Sequence, residues 1–208
     1  MKSPLPYSRR SFFALAAPVL ALAFAPFANA QETSVLRPRI EAALNSIQTQ
    51  KGRFIQIDTV SGLGLQGEFS ISRPGRLRFE YDQKPELLIA DGSHLARINT
   101  RTGGTNLVRL DSTPLRVLLV EVVDLTNGVT ITSMEQTPDS LFVTLYQTGK
   151  RNQGLLTIFL DLDTYELRGW KIEENDGGIT TVILQETQRD VYIDPNTYEI
   201  PESGLSND

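Results

Sequence analysis

The chain has 208 residues, a formal net charge of −5, no cysteine and a single histidine. An acidic polypeptide of this kind is a poor nucleic-acid binder, and one histidine leaves almost no material for a histidine triad or a multi-histidine metal site. With no disulfide available, stability must come from packing alone, in what the length suggests is one domain with a sizeable core.

Lys2, Arg9 and Arg10 precede an apolar run from Phe12 to Phe27 that ends in Ala28-Asn29-Ala30. This is the pattern of an export leader, with cleavage expected after Ala30. The run is short for a ~30 Å hydrocarbon core and is interrupted by Pro18 and Pro26, which argues against a membrane anchor. Ser8-Arg9-Arg10-Ser11-Phe12-Phe13 resembles a twin-arginine signal, with a general-route leader as the other option. The leader holds three of the 20 basic residues and none of the 25 acidic ones, so residues 31–208 form one expected domain of net charge −8. Such a surface disfavours docking on anionic phospholipid and suits a freely diffusing monomer.

Residues 34–50 place Leu36, Ile40, Ala43, Leu44 and Ile47 at helical spacing, with Arg37, Arg39, Glu41 and Gln48 turned elsewhere, which predicts one amphipathic helix. From Arg53 onward the period changes to two. Strands are expected at 53–59, 65–72, 77–81, 86–90, 94–99 and 105–110, separated by turn clusters such as Arg73-Pro74-Gly75 and Asp91-Gly92. A second helix is expected at 113–123, where Pro114 opens an apolar run. Further strands follow at 129–134, 141–147, 154–160, 166–173 and 179–187, and the tail from Asp194 reads as a loop. The chain is therefore mainly β, with about 10–11 antiparallel strands. So wide a sheet cannot stay flat, and it must curl into an incomplete barrel with the two short helices at its opening.

Alternation puts Leu65, Gly67, Phe69 and Ile71 on one face of the second strand and Leu77, Phe79 and Tyr81 on the same face of the third. Their opposite faces are polar and read as fully solvated. Two short helices are a modest plug for so broad an apolar surface, so the helices would act as a lid over an apolar cavity fit for acyl chains. Periodicity does not distinguish that arrangement from a filled sheet–helix core. The residues expected to line the cavity are Phe54, Leu65, Phe69, Ile71, Leu77, Phe79 and Tyr81 from the sheet, with Leu115, Leu118 and Leu119 from the second helix. Arg73 shares the parity of Phe69 and Ile71 and projects toward the apolar face at a strand end. It is open to two interpretations: a surface arginine beside a Pro-Gly turn, or a donor to helix carbonyls.

Gly67-Glu68-Phe69-Ser70-Ile71-Ser72-Arg73-Pro74-Gly75-Arg76-Leu77-Arg78-Phe79-Glu80-Tyr81, followed by Pro85-Glu86-Leu87-Leu88-Ile89-Ala90-Asp91-Gly92, resembles the outer-membrane lipoprotein carrier family, LolA. Gly52-Arg53-Phe54-Ile55-Gln56 and Thr113-Pro114-Leu115-Arg116-Val117-Leu118-Leu119 extend the likeness over most of the chain. The resemblance implies a half-barrel with a helical lid in the periplasm of a Gram-negative bacterium. It implies a carrier that takes acylated lipoproteins from an inner-membrane ABC-type release complex and hands them to an outer-membrane acceptor. In that family the arginine of the Arg-Pro pair, here Arg73 with Pro74, helps hold the lid shut and governs transfer. The tail 194–201 only loosely follows the family, and the twin-arginine-like leader differs from that of many members.

No enzyme and no cofactor are expected. His94 reads as a polar residue beside the Asp91-Gly92 turn, and Asp161 with Asp163 as turn residues rather than a calcium loop or a carboxylate pair. Two other classes compete with a carrier. A sensory module of the anti-sigma-regulator kind shares the architecture but would be expected to have a second domain. An exported hydrolase would need an activated nucleophile that the sequence does not offer.

Overall fold

The computed structural model describes residues 28–58, 62 and 64–201, with side chains described from Val35 onward except at Asp58. Apart from its last three residues, the predicted leader lies outside the described residues. Eleven strands form one antiparallel sheet: β1 (Thr49–Asp58), β2 (Gly64–Ser72), β3 (Arg76–Tyr81), β4 (Glu86–Asp91), β5 (His94–Asn99), β6 (Thr105–Arg109), β7 (Val129–Gln136), β8 (Ser140–Gln147), β9 (Leu155–Asp161), β10 (Leu167–Glu173) and β11 (Ile179–Arg189). Among the described residues two α-helices accompany them, α1 (Ala28–Asn45) and α2 (Arg116–Leu119).

The strand order is β6-β5-β4-β3-β2-β1-β11-β10-β9-β8-β7. The first and last strands in sequence thus pair in the middle of the sheet, and the two free edges, β6 and β7, are consecutive in the chain. A hairpin there would have closed the barrel. Instead, residues 110–128 leave one edge, form α2 and return to the other edge, so the connection itself covers the opening. Register shifts at Lys51/Arg53, Ile131/Ser133 and Leu167/Gly169 give the local bends that curl the sheet.

The alternation expected for β2 and β3 is present, with Phe69, Ile71, Leu77, Phe79 and Tyr81 buried on the inner face. Gly67 is required there, because a Cβ would lie 1.9 Å from the Glu80 carbonyl oxygen and 2.8 Å from the Phe54 ring. The turns follow local side-chain chemistry. Asp161 accepts from the backbone N–H groups of Asp163 (3.1 Å) and Thr164 (2.9 Å) and pairs with Arg168 (2.9 Å). The Thr164 backbone bond, reinforced by Arg168, holds its carboxyl well below the usual carboxylate range. Asp91 likewise accepts from the Ser93 and His94 N–H groups, and its second oxygen lies 3.7 Å from His94 Nδ1.

Four expectations need correction. The first helix ends at Asn45, and β1 begins at Thr49; Ile47 stays buried but belongs to the turn between them. The second helix is a single turn, because the backbone turns extended at Val120 and the residues that follow are held by side chains of α1 instead of by helical bonds. The tail is not only loop: Pro195–Tyr198 forms a short 3-10 helix, with Asp194 accepting from the Asn196 N–H. Nor is the outer face fully solvated. Ile89, Ala96 and Ile98 form a second small core there, against which Leu87 and Ile200 pack.

Candidate lipid site and its lid

The inner face is built around an aromatic cluster. Phe54 stacks on Phe79 (centroids 4.3 Å) and meets Tyr81 edge-on (5.2 Å), while Phe79 also contacts Phe69 (6.0 Å) and Trp170 (5.9 Å). The Tyr81 hydroxyl donates to Gln56 Oε1 at 2.7 Å. Burial raises its pKa above the ordinary range, so it stays a neutral donor. Leu36, Ile40 and Leu44 of α1 join the same cluster, as do Leu115, Val117, Leu118, Leu119, Val123 and Leu125 of the connection. All ten side chains expected to line a cavity lie in or against this cluster, Leu65 being the partly buried one.

The expectation of a standing cavity is corrected by that packing. The apolar side of the sheet is covered by the side chains of α1, α2 and the following loop, which fill the space an acyl chain would take. Clefts lie elsewhere. One of about 1030 Å³ opens on the outer face between Arg76, His94, Leu107 and the tail, and one of about 660 Å³ runs along β7 beside Arg37, Leu125 and Met134. A cleft of about 200 Å³ lies at the mouth, lined by Val117, Val120, Val122, Val123 and Val129.

The covering segments are tied down by a few polar bonds, three of them at one place. At the β2–β3 turn the Arg73–Pro74 peptide is cis, and Gly75 has a φ of +76°, the left-handed region glycine favours. Three segments converge on this turn. Arg73 Nη1 donates to the Leu44 carbonyl of α1 at 2.6 Å, the Arg73 N–H donates to the Gln48 carbonyl at 2.9 Å, and the Gly75 N–H donates to the Leu119 carbonyl of α2 at 2.6 Å. Arg73 is buried and has no carboxylate partner among the described residues. Burial pushes its pKa down to about 10, so it remains charged at neutral pH but is poorly solvated. Pro74 is exposed beside it.

A second set of bonds joins α1 to the loop that follows α2. The Asn45 side chain donates to the Val123 carbonyl (2.9 Å) and accepts from the Val123 N–H (2.7 Å), and Glu41 Oε1 accepts from the Leu125 N–H (2.6 Å). Sequence reasoning missed Asn45, Glu41 and Gly75. Glu41 was read only as turned away from the apolar stripe of the helix, and the bonds of Asn45 and Glu41 span 78 and 84 residues, beyond any local signal. The Gly after Arg73-Pro74 did mark a turn.

The chain is thus an open antiparallel half-barrel whose apolar inner face is covered by a helical lid that a buried arginine clasps. The model of the outer membrane lipoprotein carrier protein LolA matches residues 45–201, and the chain belongs to that family. Among solved structures, a DUF1329 family protein from Desulfovibrio piger aligns with a TM-score of 0.50 at 10% identity, over 85% of this chain and 98% of the other. A LolA superfamily protein from Nitrosomonas europaea aligns at 0.45 with 5% identity, over 78% and 97%. The Mycobacterium tuberculosis lipoprotein LppX aligns at 0.41 with 11% identity, over 77% and 99%. These likenesses concern the fold. No curated protein sequence matches the chain.

Proposed function

We propose that this protein is a periplasmic carrier, not an enzyme, in a Gram-negative bacterium. It binds the acyl chains of lipoproteins released by an inner-membrane ABC-type complex and delivers them to an outer-membrane acceptor. One observation carries the proposal: the cover of the sheet packs on it through apolar side chains and is pinned by a handful of polar bonds, at Arg73, Gly75, Asn45 and Glu41, with Gln147 and Lys150 holding the start of the connection. An acyl chain can replace Leu118, Leu119, Leu44 and Ile40 against Phe79 and Trp170, exchanging one apolar contact for another at about 0.8 kcal/mol per buried methylene. The polar bonds then decide whether the hollow is open or shut.

The purified protein is expected to capture an acylated lipoprotein and to leave its unacylated form in solution, measured by co-elution. Equal capture of both would reject the carrier function. Capture without onward transfer to any outer-membrane acceptor would favour a sensing role.

A further inference from the structure

Among the described residues, two buried polar atoms of the inner face are left without a hydrogen-bond partner: Gln50 Oε1 and Arg73 Nε. Gln50 is 2% exposed and Arg73 8%. The β1–β2 register sets Gln50 opposite Ile71, and the Arg73 N–H bonds to the Gln48 carbonyl, so the two side chains lie on one face, one cross-strand pair apart. Both sit at the lid end of a face whose other occupants are Phe54, Phe69, Ile71 and Leu77. An apolar residue at position 50 would have suited that core, and a buried acceptor with nothing to accept is a cost that packing does not explain.

A neighbouring acceptor and donor on one face match a group that offers one of each, as a secondary amide does. We propose that Gln50 and Arg73 form a polar subsite for the amide of an N-acylated amino terminus. Gln50 Oε1 accepts the amide N–H, Arg73 donates to the amide carbonyl, and the acyl chains run on over the aromatic cluster. A free amino terminus fails there on two counts. It has no acyl carbonyl on its terminal nitrogen for Arg73, and its ammonium would face the guanidinium at short range in a poorly solvated site. The subsite therefore selects fully acylated lipoproteins over those with a free amine; this rests on the carrier proposal and adds the chemistry of the head to that of the tails.

The test uses two lipopeptides carrying the same pair of S-glyceryl acyl chains, one N-acetylated and one with a free amine, titrated into the purified protein. The N-acetylated form is expected to bind about tenfold more tightly, the scale of one buried hydrogen bond. Gln50→Met, which keeps the volume and removes the acceptor, is expected to lower that affinity about tenfold while leaving binding of the free amine unchanged. Should the variant not fold, the two ligands on the unaltered protein decide the matter. Equal affinities there, or equal losses for both ligands in Gln50→Met, would overturn the subsite and leave acyl binding standing. Binding of neither ligand would overturn the carrier function as well.

Discussion

Arg73→Leu is expected still to accept acylated cargo through its acyl chains, but to release it ten- to a hundredfold more slowly, or to let it return to the donor membrane. In the closed structure the Arg73 guanidinium is taken out of water, and a pKa of about 10 against an ordinary 12.5 corresponds to a cost of about 3 kcal/mol. The charged bond to Leu44 returns about 1.5–3 kcal/mol, so the two nearly cancel in the empty state. Bound cargo displaces α1 and exchanges the Leu44 carbonyl for at most one amide carbonyl of its head, while its hydrocarbon covers the guanidinium and desolvates it further than in the empty state. Arg73 thus favours departure of the cargo, and leucine abolishes that bias. Thermal stability of the empty variant should stay within a few degrees of the parent. Because the arginine pKa is lowered, its cost is fully present below pH 10 and is relieved only as pH rises through that value. Release by the unaltered protein should therefore be flat from about pH 6 to 9 as far as this residue is concerned. Transfer of a fluorescent lipopeptide to acceptor vesicles measures both effects, and delivery by Arg73→Leu at the parental rate would remove the residue from the mechanism.

Asn45→Ala should raise the frequency of lid opening about thirtyfold, because it deletes the two bonds to the Val123 backbone, each worth about 1 kcal/mol. Amide exchange of residues 120–126 reports the opening directly, and uptake of an apolar dye should quicken in parallel. Glu41→Gln, which keeps an oxygen for the Leu125 N–H, should change the same amides far less. Unaltered protection in Asn45→Ala would mean that Glu41 and the apolar contacts hold the loop without Asn45.

The sheet was legible from the sequence wherever one face was wet. In β2 and β3 a strict alternation of Leu65, Phe69, Ile71, Leu77, Phe79 and Tyr81 with charged and hydroxylated neighbours fixes the inner side, and a slip of one residue would invert it. Where both faces are covered, alternation disappears. Leu87-Leu88-Ile89-Ala90 is apolar throughout, the mark of a strand buried on both sides, and that run was the available sign that the tail lies over β4 and β5. The pairing of β1 with β11 joins the two ends of the sheet and depends on neither local propensity nor turn type. The extent of α2 was misread for a related reason: Val120, Val122 and Val123 continue an apolar run, yet their backbone is claimed by side chains from α1 far away in sequence. Of the candidate site, the parity that turns Arg73 inward was readable from the pattern. Its acceptor was not, since which carbonyl it meets depends on where α1 ends. Nor does periodicity reveal whether an apolar hollow is empty or occupied by the chain's own lid.

The single tryptophan of the chain, Trp170, lies 2% exposed on the inner face with its ring centroid 5.9 Å from that of Phe79. Its indole is therefore a built-in optical gauge that needs no dye or tag. A hollow that opened to water would shift the emission to longer wavelength, whereas one that exchanged its leucines for hydrocarbon would keep the emission blue. Loading and unloading can be followed in real time by the light the molecule itself emits.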